Sequence, residues 1–168
     1  MRAKTISSEP TPAREGSTAW NIAALIGFIG LTFLAPLASA GIDPRSWYPA
    51  LAKPAWAPPA WLFGPVWTLL YTAMAVAAWG VWQRRGWSPP LALWLVQLAL
   101  NAAWTPIFFG LQKPGWAFAE IVALWLAIAT TLMAFAKVAR WSAWLLAPYL
   151  TWVTFATALN FAIWRLNT

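Results

Sequence analysis

The sequence predicts an all-α membrane protein, a five-transmembrane-helix bundle. Three observations lead there. Of 168 positions, 61% are hydrophobic and only 9% charged. The chain holds five apolar runs, each near the roughly 20 residues that cross the hydrocarbon of a bilayer. Basic or proline-rich segments separate the runs. A water-soluble domain has about 45–50% apolar and about 25% charged residues, and a chain this small leaves too much surface to hide the excess. Lipid is the solvent that fits.

Residues 1–17 carry Arg2, Lys4, Arg14 and Glu15 among Ser, Thr and Pro, and read as a disordered tail. The membrane domain takes residues 18–168. Its first span covers about 19–40. Ala38-Ser39-Ala40 imitates a signal-peptidase site, but the run exceeds the usual apolar region of about 7–15 residues, so the helix is expected to be retained. Residues 41–59 form a linker too rich in proline for a regular helix (Pro44, Pro49, Pro54, Pro58, Pro59). Spans at about 60–82, 91–110, 116–136 and 142–164 follow, separated by turns holding Arg84 and Arg85, Lys113 and Pro114, then Lys137 and Arg140, with Arg165 closing the last.

Five spans put the termini on opposite sides. Seven basic residues (Arg2, Lys4, Arg14, Arg84, Arg85, Lys137, Arg140) fall on the N-terminal side and four (Arg45, Lys53, Lys113, Arg165) on the far side, so the N-terminal side is expected in the cytoplasm. The bases lie singly or in pairs, with no stripe for phosphates, which argues against nucleic acid. There is no Cys and no His, which excludes disulfides, thiol nucleophiles, imidazole bases and most transition-metal sites. The four acids, Glu9, Glu15, Asp43 and Glu120, give paired-carboxylate catalysis little to build on. No dedicated catalytic site, metal or required cofactor is expected.

Polar residues inside lipid are costly, so their depth is informative. Asn101 and Thr105 on the third span, Glu120 on the fourth, and Thr157 and Asn160 on the fifth all fall in the far half, as if facing one another or a shared cavity. For Glu120 the plainer expectation is that it leans to the interface or caps a neighbour, the alternative being a protonatable pocket residue. Pro36, Pro65 and Pro106 end or begin spans in the same half, where freed carbonyls are tolerated beside protein or a cavity; Pro148 lies nearer the other side. Aromatic residues gather there too: Trp56, Trp61, Phe63, Trp67, Tyr71, Trp104, Phe108, Phe109 and Trp116. Most of the 16 Trp suit interface anchoring. Trp67 and Trp152 sit inside their spans, where a polar cavity or a carbonyl of a packed helix must satisfy the indole N–H. An apolar, aromatic pocket with a few polar groups, opening to the far side under residues 41–59, suits a flat hydrophobic ligand. Arg45 and Lys53 could meet carboxylates on its rim or snorkel to headgroups. The pairs Ala73 and Ala77, and Ala99 and Ala103, have the spacing that lets helices approach, as in a dimer.

Several motifs are recognisable in order. They are Trp47-Tyr48, Lys53-Pro54-Ala55-Trp56-Ala57-Pro58-Pro59-Ala60-Trp61, Gly64-Pro65-Val66-Trp67-Thr68-Leu69-Leu70-Tyr71, Gln97-Leu98-Ala99-Leu100-Asn101-Ala102-Ala103-Trp104-Thr105-Pro106-Ile107-Phe108-Phe109-Gly110, Pro148-Tyr149-Leu150 with Trp152, and Ala156-Thr157-Ala158-Leu159-Asn160-Phe161. From about Trp20 to Asn167 the chain resembles the translocator protein family (TspO/MBR, tryptophan-rich sensory proteins, peripheral-type benzodiazepine receptors). The resemblance implies a five-helix bundle, commonly a homodimer, whose pocket is capped by the first loop and binds porphyrins such as protoporphyrin IX, and isoquinoline or benzodiazepine-like molecules. By matching motifs it implies Tyr48, Trp67, Tyr71, Asn101, Phe108, Trp116, Trp152 and Ala156 as ligand-binding residues. It also implies roles as sensor, transporter or light-dependent porphyrin-degrading enzyme, the last through Trp67 and Trp152. Members are found in bacterial and mitochondrial outer membranes; the bacterial cell envelope is the expectation here. Phe161 and Ala162 stand where the sterol-linked pattern, which ends in an Arg matching Arg165, needs a tyrosine, so sterol recognition is not expected.

Overall fold

The computed structural model describes residues 18–43 and 47–168; the tail read over 1–17, and Pro44, Arg45 and Ser46, lie outside the described residues. Among the described residues there is no strand. The main helices are α1 (Thr18–Phe33), α2 (Phe63–Arg85), α3 (Pro89–Thr105), α4 (Pro114–Ala136) and α5 (Arg140–Leu166). With the short turns that extend three of them, five stretches are long and apolar enough to cross a membrane: Thr18–Ser39, Ala60–Arg85, Pro89–Gly110, Pro114–Ala136 and Arg140–Leu166. Helices satisfy their own backbone, as the hydrocarbon demands, and the chain is an integral, multi-pass membrane protein.

Local chemistry sets the ends. Helices α3 and α4 begin on Pro89 and Pro114, ahead of the apolar runs, because a proline in the first turn lacks only a donor that would be orphaned there anyway. Helix α2 runs past Trp82 to Arg85, placing Arg84 and Arg85 at the negative end of its dipole. Gly86 then turns the chain at φ 60° and donates its N–H to the Trp82 carbonyl at 2.7 Å. Helix α1 stops at Phe33 and tightens into a 3-10 turn, Ala35–Ser39, around Pro36. Pro106 ends α3 but not the helical stretch, which widens into a π turn, Pro106–Gly110, closed by the Leu111 N–H on the Pro106 carbonyl at 2.8 Å.

The helices form a ring. α1 packs on α2, α2 on α5, α5 on α4 and α4 on α3, and the turn Ala35–Ser39 closes the ring against α3. Close approach of α2 to α5 rests on a glycine. Gly80 is buried and a Cβ on it would overlap the Trp141 ring; Ala75, Ala77 and Ala78 are buried on the same helix. Hydroxyls inside the spans are satisfied locally. Thr32, Thr68, Thr72, Thr130, Thr131, Thr151, Thr154 and Thr157 each donate to the carbonyl four residues back. Thr157, expected to face other polar groups or a shared cavity, donates to the Val153 carbonyl.

Candidate ligand-binding site

Two adjoining cavities occupy the far half of the bundle. The inner one, about 320 Å³, lies among all five spans and is walled by Trp67 and Tyr71 of α2, Asn101 of α3, and Trp152 and Ala156 of α5. The outer one, about 490 Å³, lies under the linker, roofed by Tyr48 and Pro49 and walled by Phe108, Asn160 and Ile163. They share Phe63, Trp67, Trp104, Thr105 and Ala156 as a common wall. Both volumes fall within the roughly 300–1,000 Å³ typical of small-molecule sites.

Helical spacing builds these walls. Trp67 and Tyr71 are one turn apart on α2; Asn101, Trp104, Thr105 and Phe108 follow the i, i+3, i+4, i+7 pattern; Trp152, Ala156, Asn160 and Ile163 recur at i, i+4, i+8 and i+11 on one face of α5. The π turn carries Phe108, which is 1% exposed, into a ring cluster. Trp104 stacks on it at 4.9 Å, and Trp47 and Tyr48 meet it at 5.7 and 6.4 Å between centroids.

Two asparagines brace the frame. Tyr71 donates its hydroxyl to Asn101 Oδ1 at 2.8 Å, and Asn101 Nδ2 donates to the Tyr149 hydroxyl at 3.0 Å, tying α2, α3 and α5 together at a fully buried tyrosine. Trp67 stacks on Tyr71 at 5.3 Å and meets the Tyr149 ring edge-on at 6.1 Å, so this network also sets the angle of its indole. Asn160 accepts the Trp104 indole N–H on Oδ1 at 3.0 Å and donates to the Pro114 carbonyl at 2.8 Å, joining α5, α3 and the start of α4. Of the expected polar layer, Asn101, Thr105 and Asn160 line the cavities while Glu120 and Thr157 line neither, and the two amides serve first to hold helices. The Trp152 indole N–H is different: it is buried with no acceptor among the described residues, in a side chain that lines the inner cavity. Burial holds the Tyr48 phenol above its usual range.

Of the residues singled out in the sequence, Tyr48, Trp67, Tyr71, Asn101, Phe108, Trp152 and Ala156 line one cavity or both. Trp116 does not: it is 75% exposed on the outside of α4, in the first turn beyond Pro114. Lys53 is also not a free rim cation. Its ammonium donates to the carbonyls of Tyr48, Pro49 and Leu51 at 2.8, 3.3 and 2.9 Å and stands 4.8 Å above the Tyr48 ring, using all three of its donors. Arg45 lies outside the described residues. Glu120 neither leans out nor caps a neighbour, since both carboxyl oxygens are buried without a partner among the described residues. Phe63, Trp104 and Thr105, which the sequence placed in the same half of the bundle but which the family motifs did not add to the ligand-binding set, stand on the common wall.

A sequence model of the TspO/MBR family matches residues 21–165. The chain is 44% identical over 142 residues to the tryptophan-rich sensory protein of Cereibacter sphaeroides, a match covering 82% of this chain and 90% of that one. It is 45% identical over 126 residues to the translocator protein of Homo sapiens, covering 72% and 75%. Against protein CrtK of Rhodobacter capsulatus it is 43% identical over 129 residues, covering 74% and 81%. A match of this extent and identity leaves one conclusion: the chain belongs to the TspO/MBR family.

Proposed function

We propose that this protein is a membrane receptor or sensor for a porphyrin of the protoporphyrin IX kind. It accepts similar flat hydrophobic molecules of isoquinoline or benzodiazepine type, needs no cofactor, and acts in tetrapyrrole homeostasis as a homodimer in the bacterial cell envelope. The observation that carries this reading is the pair of cavities sharing Phe63, Trp67 and Trp104. Flat rings on a common wall suit a flat aromatic ligand, which offset-stacks on indole and phenyl faces. The Trp152 N–H, buried without an acceptor among the described residues in a side chain of the inner cavity, supplies a directional contact to an acceptor on the ligand once the indole turns toward the cavity. Membership of a family that includes sensory and translocator proteins supports a binding role over a catalytic one.

The test is a dark titration of the purified, detergent-held protein with protoporphyrin IX, followed by tryptophan fluorescence. Saturable quenching at low micromolar ligand or below is expected, weakened about tenfold or more in Trp67→Phe/Trp152→Phe, from the loss of two ring contacts and one hydrogen bond. Equal quenching in the double variant removes the named site. Quenching that only rises linearly, like free tryptophan in the same micelles, removes the porphyrin.

A further inference from the structure

The last residues of α5 hold the roof of the outer cavity through one side chain. Asn167 Oδ1 accepts the Ala52 N–H at 3.0 Å, while Asn167 Nδ2 donates to the carbonyl of the same Ala52 at 2.9 Å and to the Ile163 carbonyl at 2.7 Å. The carboxamide thus imitates a peptide group and pairs with Ala52 as a neighbouring strand would, across 115 positions of sequence. Among the common side chains only Asn and Gln present a carbonyl and an N–H side by side in this way. The third bond, back to Ile163 in the preceding turn, fixes the amide plane so that both groups face the loop.

Ala52 is followed by Lys53, whose ammonium gathers the carbonyls of Tyr48, Pro49 and Leu51. The turn Tyr48–Ala50 and the Ala52–Lys53 pair therefore move as one body, and that body contributes Tyr48 and Pro49 to the cavity roof. It rests on the bundle through rings as well, Tyr48 on Phe108 and Phe109 and Trp56 on Phe155, but ring contacts tolerate sliding and a paired amide does not. Asn167 itself lines neither cavity.

We propose that Asn167 is a positioning residue, a latch that holds residues 47–53 over the outer cavity and sets the rate at which ligand enters and leaves. For its kinetic arm this rests on the porphyrin reading above. Release of the latch exposes the roof without altering the walls, so entry and exit accelerate together and the equilibrium constant moves less than either rate.

The experiment compares wild type, Asn167→Ala and Asn167→Asp, each as the full chain in detergent. Aspartate keeps the size and the acceptor but loses both donors and sets a carboxylate against two carbonyls, so it tests the latch even where the alanine chain fails to fold. Hydrogen exchange is read over residues 47–57, and stopped-flow tryptophan fluorescence gives protoporphyrin IX association and dissociation rates. Loss of two hydrogen bonds at a wet interface corresponds to about a tenfold change. Exchange over 47–57 and porphyrin dissociation are both expected to rise by about that factor, with α2, α3 and α4 unchanged. A rise confined to residues 160–168 identifies Asn167 as a helix terminator alone and overturns the latch, as does faster exchange with unaltered dissociation. If wild type shows no saturable porphyrin binding, the porphyrin reading falls while the exchange comparison still decides whether Asn167 holds the roof.

Discussion

Replacement of Asn101 by Leu is the sharpest perturbation of the frame. It removes two hydrogen bonds, from the Tyr71 hydroxyl at 2.8 Å and to the Tyr149 hydroxyl at 3.0 Å, and strands two phenols in a bundle surrounded by lipid. Side-chain hydrogen bonds between membrane helices average about 0.6 kcal/mol and reach about 1.7, so two of them amount to roughly 1–3 kcal/mol before the stranded hydroxyls are counted. The control is Asn101→Leu/Tyr71→Phe/Tyr149→Phe, which removes every polar member and leaves rings and volume nearly intact. Apolar replacement of all the partners in a hydrogen-bonded group can be close to neutral, so the triple variant is expected to recover most of the loss. The assay is reversible unfolding of the detergent-held protein by titration with a denaturing detergent, read by far-ultraviolet circular dichroism. A single variant as stable as wild type, or a triple variant less stable than the single, would refute the account of Asn101 as the tie among three helices.

Other substitutions separate the remaining arguments. Gly80→Ala drives a methyl into the Trp141 ring and is expected to cost about 1–3 kcal/mol in the same unfolding assay, most of it recovered in Gly80→Ala/Trp141→Leu. Glu120→Leu removes a carboxyl whose two oxygens are buried without partners, and a gain of roughly 1–3 kcal/mol is expected; a loss reveals a partner for that carboxyl. Trp116→Ala, on the exposed outside of α4, is expected to change the protoporphyrin IX dissociation constant by no more than about twofold, as read by the fluorescence titration. In the dark the absorption spectrum of bound porphyrin is expected to stay constant; a product that forms only under illumination, and not in Trp67→Phe/Trp152→Phe, adds a light-dependent reaction to the binding role.

Much of the architecture is legible in the sequence because lipid imposes it: an apolar stretch must be long enough to cross and must end near a charge or a proline. The ends near Pro89 and Pro114 are harder to read, since a proline signals both a break and a good first turn. The walls are legible where one residue type has little freedom, as with an indole in the middle of a span, and Trp67 and Trp152 do lie on the inner cavity. Trp116 shows the opposite limit, for an indole in the first turn of a helix reads the same whether it faces ligand or lipid. Lys53 shows another. Nothing in its neighbours reveals that three backbone carbonyls will converge on its ammonium, because that depends on the path of the whole turn. Asn101 and Asn160 were legible as buried and polar, but which groups they join depends on helix order around the ring.

That order has a consequence for biosynthesis. Neighbours in sequence are not always neighbours in space: α2 touches α3 little and instead meets α5, which stands between α2 and α4. The first four helices therefore emerge as an open fence, and the gap is filled only by the final 27-residue helix. Trp152, Ala156, Asn160 and Ile163 arrive with it, as does the asparagine that fastens the roof. Until α5 is in place both cavities lack one of their walls and the roof lacks its tie at Ala52, so the pocket is closed by a helix made after the other four.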